Sequence, residues 1–167
     1  MQHRIRLIFS AFIFLFVGTS EAFGDDDEAF WMADKRMVIL QSTKSYASAK
    51  KTAKRAAKKL GLKLKLRGLV SHPKSGLTES KALCMSLDDG YPGHYPCYWP
   101  RGRWDDGAYI SIEYSTAIRG FRDGYYIVVA ASDYDGSALI ERILKKARRT
   151  WKDAYAKKAE VYMGCIH

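Results

Sequence analysis

The stretch Arg36–Gly61, RMVILQSTKSYASAKKTAKRAAKKLG, decides the fold. Its opening, Met37–Leu40, is apolar without interruption, the mark of a strand buried on both faces. Ser45 is a helix N-cap, and Gly61 is the residue that closes the helix in a left-handed cap. Between them Tyr46, Ala49, Ala53, Ala56, Ala57 and Leu60 recur at spacings of three and four, one apolar stripe. Lys50, Lys51, Lys54, Arg55, Lys58 and Lys59 take the remaining surface. Leu62, Leu64 and Leu66 then alternate with Lys63, Lys65 and Arg67, which predicts a half-buried strand with a basic outer face. Residues 36–67 thus read as strand–helix–strand.

The second half of the chain echoes this unit at an offset of 90 residues. Val38, Ile39 and Ser42 fall on Val128, Val129 and Ser132, and Ser45 falls on Asp135, cap on cap. Ala49, Ala53 and Ala57 fall on Leu139, Ile143 and Ala147. Tyr125–Ala131 (YYIVVAA) is the matching strand, the helix runs from Asp135-Gly136-Ser137 to about Trp151, and Ala154–Met163 is a last strand. Ala108–Ser115 alternates Ile110, Ile112 and Tyr114 with Tyr109, Ser111 and Glu113, an added or replacement strand. The expected class is α+β: two βαβ halves in a ferredoxin-like arrangement, mainly antiparallel, with both helices on one face.

Before this body lies a different composition. Arg4 and Arg6 precede the apolar run Leu7–Val17, and small residues follow to Gly24, so residues 1–24 read as a secretory signal. That run is shorter than the ~20 residues a spanning helix needs. An acidic segment, 25–35, leads into a single domain at 36–167. The full chain has 28 Lys and Arg against 18 Asp and Glu, a net +10. Taking away residues 1–22 leaves 26 against 17, so the basic character belongs to the folded part. An exported basic protein, periplasmic or secreted, points to cell-wall glycan or another anionic envelope polymer, not to nucleic acid, and to no stable membrane span once the signal is gone.

The first half also resembles a known family. Val38-Ile39-Leu40-Gln41-Ser42-Thr43, then Tyr46 and the Ala-rich helix ending at Leu60-Gly61, are similar to the opening of the SPOR domain, a bacterial module that binds peptidoglycan. The likeness covers residues 36–67 and 125–163. The family's Gly-Pro-aromatic turn is absent after Tyr126–Ala131, and the middle of this chain is longer. The resemblance implies binding of peptide-free glycan strands on an open sheet face. Gln41 on one strand and Tyr109, Ser111 and Glu113 on another are the corresponding candidate contacts.

Residues 71–107 form a long insertion holding all four prolines. Its aromatic residues Tyr91, Tyr95, Tyr98, Trp99 and Trp104 stand beside Arg101 and Arg103. Flat aromatic faces stack on the apolar C–H surfaces of sugar rings while guanidinium groups reach hydroxyls, so Trp99, Arg101 and Trp104 are candidate ligand contacts. The same aromatics also suit a mini-core that orders the loop. Asp88-Asp89-Gly90 and Asp105-Asp106-Gly107 could supply paired carboxylates for glycoside cleavage, but Asp-Gly is more often turn chemistry.

Three cysteines permit three single bridges. Cys84–Cys97 is the expected pair because both lie in the insertion. Cys165 and His167 could both touch one metal ion, but two ligands alone make a weak site that His72 or His94 would have to join. No phosphate loop, nucleophile elbow or zinc signature occurs, so no cofactor or metal is expected. The composite expectation is a non-enzymatic envelope binding module. Its rivals are a secreted polysaccharide-acting enzyme using the Asp pairs, and an interaction or inhibitor protein presenting the insertion.

Overall fold

The computed structural model describes residues 31–86 and 93–164. Four strands form the main sheet: β1 (Met32–Thr43), β4 (Gly107–Tyr114), β5 (Tyr126–Tyr134) and β6 (Tyr155–Tyr162). Their order is β4-β5-β1-β6, and every neighbouring pair is antiparallel. Helices α1 (Tyr46–Leu60) and α3 (Ala138–Ala147) follow the two central strands. The insertion adds a hairpin, β2 (Val70–His72) with β3 (Gly76–Thr78), and a short helix α2 (Lys81–Met85). The protein is α+β with an antiparallel sheet, as the periodicity requires.

Both long helices cover one face of the sheet. Ala49, Ala53, Ala56 and Leu60 of α1 and Ile140, Ile143, Leu144 and Ala147 of α3 share a core with Val38, Leu40, Ile110, Ile112, Val128 and Ala130. Alanines on the α1 stripe let that helix lie close against the strands. The opposite face has its own smaller cluster of Met37, Ile39, Ile127, Val129, Ala159 and Val161, covered by Ile118. The central strands are therefore apolar on both sides, which is why their sequences show runs instead of alternation.

Local chemistry fixes the ends of the elements. The Ser45 hydroxyl accepts the Ser48 N–H at 3.2 Å, and Gly61 closes α1 at φ 59°. In α3 the N-cap is Ser137, whose hydroxyl accepts the Leu139 N–H, two residues beyond the Asp135 that the offset selects. Helix α3 stops at Ala147, short of Trp151, because the Thr150 and Trp151 N–H groups turn back to the Ala147 carbonyl.

Three further expectations change. Strand β1 begins at Met32, inside the segment assigned to an acidic leader. Residues 62–66 do not join the sheet as a full strand. They make one parallel bridge, Leu64 to Ile110, outside β4, before Arg67 (φ 53°) and Gly68 (φ 74°) turn the chain away. Strand β4 takes the sheet edge in their place. The second face is not an open platform either: residues 97–106 and the 115–125 connection lie across it. The expected Cys84–Cys97 bridge is present, with Cα atoms 5.6 Å apart.

Candidate functional site: a polar seam and an aromatic cleft

Strand β4 presents polar side chains to the second face, and the chain after Cys97 folds back to satisfy them. Arg101 is wholly buried. Its Nη1 donates to the Tyr109 carbonyl (2.9 Å) and the Ser111 hydroxyl (3.1 Å), its Nη2 to the Gly107 carbonyl (2.9 Å), and its Nε to the Ser132 hydroxyl (3.1 Å). The guanidinium stacks 3.6 Å from the Tyr109 ring centre. Burial pulls its pKa below the ordinary arginine value, opposed by the surrounding phenol and carboxylates.

Glu113 is equally buried. One of its oxygens accepts from the Tyr98 hydroxyl (2.5 Å), the Arg101 backbone N–H (3.1 Å) and Arg67 Nη2 (3.3 Å). Burial, then the neighbouring Glu113 charge, push the Tyr98 phenol well above its usual pKa. Asp105 accepts from the Gly102 N–H (3.0 Å) and from the Tyr109 hydroxyl. Asp106 forms an ion pair with buried Lys35, whose ammonium also lies 3.3 Å from the centre of the Tyr134 ring. This seam pins residues 98–107 to β1, β4 and β5.

Beside it opens a cleft of about 340 Å³. Its aromatic walls are Tyr98, Trp99 and Tyr114, and its polar positions are Ser75, His94 and Thr116. The disulfide holds one wall, since Cys97 is itself a lining residue and its main chain exchanges hydrogen bonds with the Thr78 hydroxyl on β3 (both 3.2 Å). The β2–β3 hairpin holds another: Gly76 (φ 71°) lies against the Tyr114 ring, where any Cβ would collide. The Tyr126 hydroxyl donates to the Gly76 carbonyl at 3.0 Å, fixing that hairpin on the sheet. Thr116 and Ala117 are shared with a second cavity of about 300 Å³ that reaches Trp31, Met32, Arg119, Glu160 and Tyr162.

The sequence-derived candidates are therefore divided. Tyr109, Ser111, Glu113 and Arg101 come together, but at 4, 2, 0 and 0 % exposure they are interior scaffold and not a face open to a ligand. The reason is the guanidinium, which occupies the ground above Ser111 that an open sheet would leave to solvent. Trp99 is half-buried in the cleft. Trp104 is 65 % exposed and outside it, with Arg103 at 5.9 Å from its ring. Gln41 is remote, its amide bonded to Ser48 of α1 at 3.3 Å.

Asp105 and Asp106 are both committed to structural partners. Asp88, Asp89, Tyr91, Cys165 and His167 lie outside the described residues, as does the segment 1–24 expected to be a secretory signal. Sequence reasoning missed Ser75, His94, Tyr114 and Thr116. Nothing in the local pattern distinguishes them, because the cleft is assembled from three loops distant in the chain.

Among the described residues no group of three or more His, Cys, Asp and Glu could hold a metal ion, and no helix is long and apolar enough to cross a membrane. The fold and site define an α+β domain with a disulfide-braced aromatic cleft. No family model matches the chain, and neither a curated protein nor a solved structure matches it.

Proposed function

We propose that this protein is a non-catalytic binding module of the bacterial envelope that takes a cell-wall glycan strand in the Tyr98–Trp99–Tyr114 cleft. The observation that carries the reading is the cleft itself: aromatic walls beside two hydroxyls and an imidazole. Sugar rings need such a pairing of apolar faces with hydrogen-bonding groups. Support also comes from the leader-like residues 1–24, the basic balance, and the disulfide, which suits an oxidising compartment. An antiparallel four-stranded sheet with both long helices on one face is compatible with the ferredoxin-like arrangement that accompanies the SPOR resemblance. The ligand surface differs from the one that resemblance implies, moving from the sheet face to the cleft beside the insertion.

Co-sedimentation with purified peptidoglycan sacculi tests this. The wild type is expected to pellet with sacculi at low salt, and Trp99→Ala to weaken retention about tenfold, equivalent to ~1.4 kcal/mol. Failure of the wild type to pellet, or undiminished retention of the Trp99→Ala protein, overturns the proposal.

A further inference from the structure

The net charge of this protein has a single address. Residues 46–60 and 138–153, the two long helices and the turn after α3, hold twelve Lys and Arg against only Glu141 and Asp153. Removing these from the totals of 28 and 18 leaves sixteen residues of each sign, so the rest of the chain is balanced. All twelve cations are exposed. Glu141 is engaged by Arg36 at 3.2 Å, and among the described residues none of the twelve cations forms an ion pair. Unpaired like charges held on one rigid layer repel each other and raise the affinity for a polyanion.

The arrangement also has a repeat. Lys50, Lys54 and Lys58 form one row along α1, and Lys51, Arg55 and Lys59 a second, with successive members about 6 Å apart. The two helices meet through Lys146 Nζ, which donates to the Leu60 carbonyl at 2.6 Å, and through Arg55, 5.4 Å from the Trp151 ring centre. The rows thus continue into the Arg142–Lys152 cations as one surface. The large exposed apolar side chains all lie outside both helices. A membrane-docking helix needs such residues to enter the headgroup layer, so a lipid surface is disfavoured. Eight of the twelve cations are lysines, compact point charges that bind phosphate oxygens without the bidentate geometry a guanidinium imposes.

We propose that the α1–α3 face is an electrostatic docking surface for a linear polymer bearing one phosphate charge per repeat unit. None of the twelve cations lines the aromatic cleft, and the proposal does not depend on the glycan reading.

The test uses long-chain inorganic polyphosphate as the probe, with poly-glutamate and phosphatidylglycerol vesicles as comparison arms, over a series of salt concentrations. Polyphosphate is expected to bind most tightly, with log affinity falling linearly in log salt. The triple reversal Lys50→Glu, Lys54→Glu, Lys58→Glu should lower affinity at least tenfold and reduce the salt slope by about two units, near 0.7 per lost contact. The neutral Lys→Gln triple should show a smaller loss in the same direction and stands in if the reversal does not fold. Trp99→Ala should bind polyphosphate as the wild type does, which separates this surface from the cleft. No polyphosphate binding at low salt, an unchanged slope in both triples, or equal binding of poly-glutamate or vesicles overturns the proposal.

Discussion

The two faces of the sheet are built on different rules. On the helix face every strand contributes apolar groups, and α1 and α3 close over them with stripes at helical spacing. On the other face β1 and β5 are still apolar, but β4 offers Ser111 and Glu113, and the cover is a loop held by Arg101 and by the Lys35–Asp106 pair. The first face owes its stability to burial, which is non-directional and tolerant of exchange. The second depends on directional contacts whose members become costly once a partner is lost. The two meet at Tyr98, a wall of the cleft whose hydroxyl is held by Glu113 of the polar seam, so the rigidity of the seam bears on the geometry of the site.

The largest effect expected from breaking this contrast is at Arg101. Arg101→Ala strips hydrogen bonds from two carbonyls and two hydroxyls in a buried position, at a cost of about 4 kcal/mol. Ile140→Ala on the helix face should cost about 3 kcal/mol through its cavity alone. Denaturant unfolding measures both. A loss at Arg101 smaller than that at Ile140 would mean that the second face is not held by its polar seam.

Next comes the disulfide. Cys84 and Cys97 are 13 residues apart, and replacing both with Ser should remove up to about 3 kcal/mol on the chain-entropy estimate. The signature is local: hydrogen exchange should speed up in β2, β3 and residues 97–106, while α1 and α3 keep their protection. Equal loosening of both faces would break the comparison.

The smallest effect is at Asp133, whose pKa is held below the ordinary value chiefly by the Ser137 hydroxyl, which donates to it at 2.6 Å. A lowered carboxylate pKa contributes stability above the ordinary Asp range and loses it as pH falls through the folded-state value. Asp133→Asn should therefore cost about 0.5 kcal/mol near neutral pH, the scale of an exposed charged contact. Melting curves of the two proteins should converge on acidification. A gap that widens toward low pH would contradict this assignment.

The difference between the faces also governs what could be read from the sequence. Apolar runs and stripes reveal β1, α1, β5, α3 and β6 because period two and period 3.6 are local properties of the chain. Cys84–Cys97 was legible from its placement in one irregular segment. The strand expected at 62–66 was not realised because a sequence alternation does not say which edge will accept it, and β4 holds that edge more fully. Lys35 and Asp106 lie 71 residues apart and Arg101 and Ser132 lie 31 apart, so no window along the chain links them. Tyr109, Ser111 and Glu113 alternate as an exposed strand face would. Only the return of Arg101 over them turns that face into interior.

The short 63–65 segment has a consequence for how the molecule meets other chains. Its Lys63 carbonyl and Lys65 N–H occupy both hydrogen-bonding groups of Ile110 on the outer side of β4. At the far edge, Glu160 of β6 bonds back to the Arg119 carbonyl, with Lys157 and Lys158 close by on the same strand. Strand edges obstructed in this way resist pairing with an extended peptide or with another copy of the sheet. A protein that carries two strongly apolar central strands is thereby protected from polymerising through its own backbone, and recruitment of partners is left to side chains.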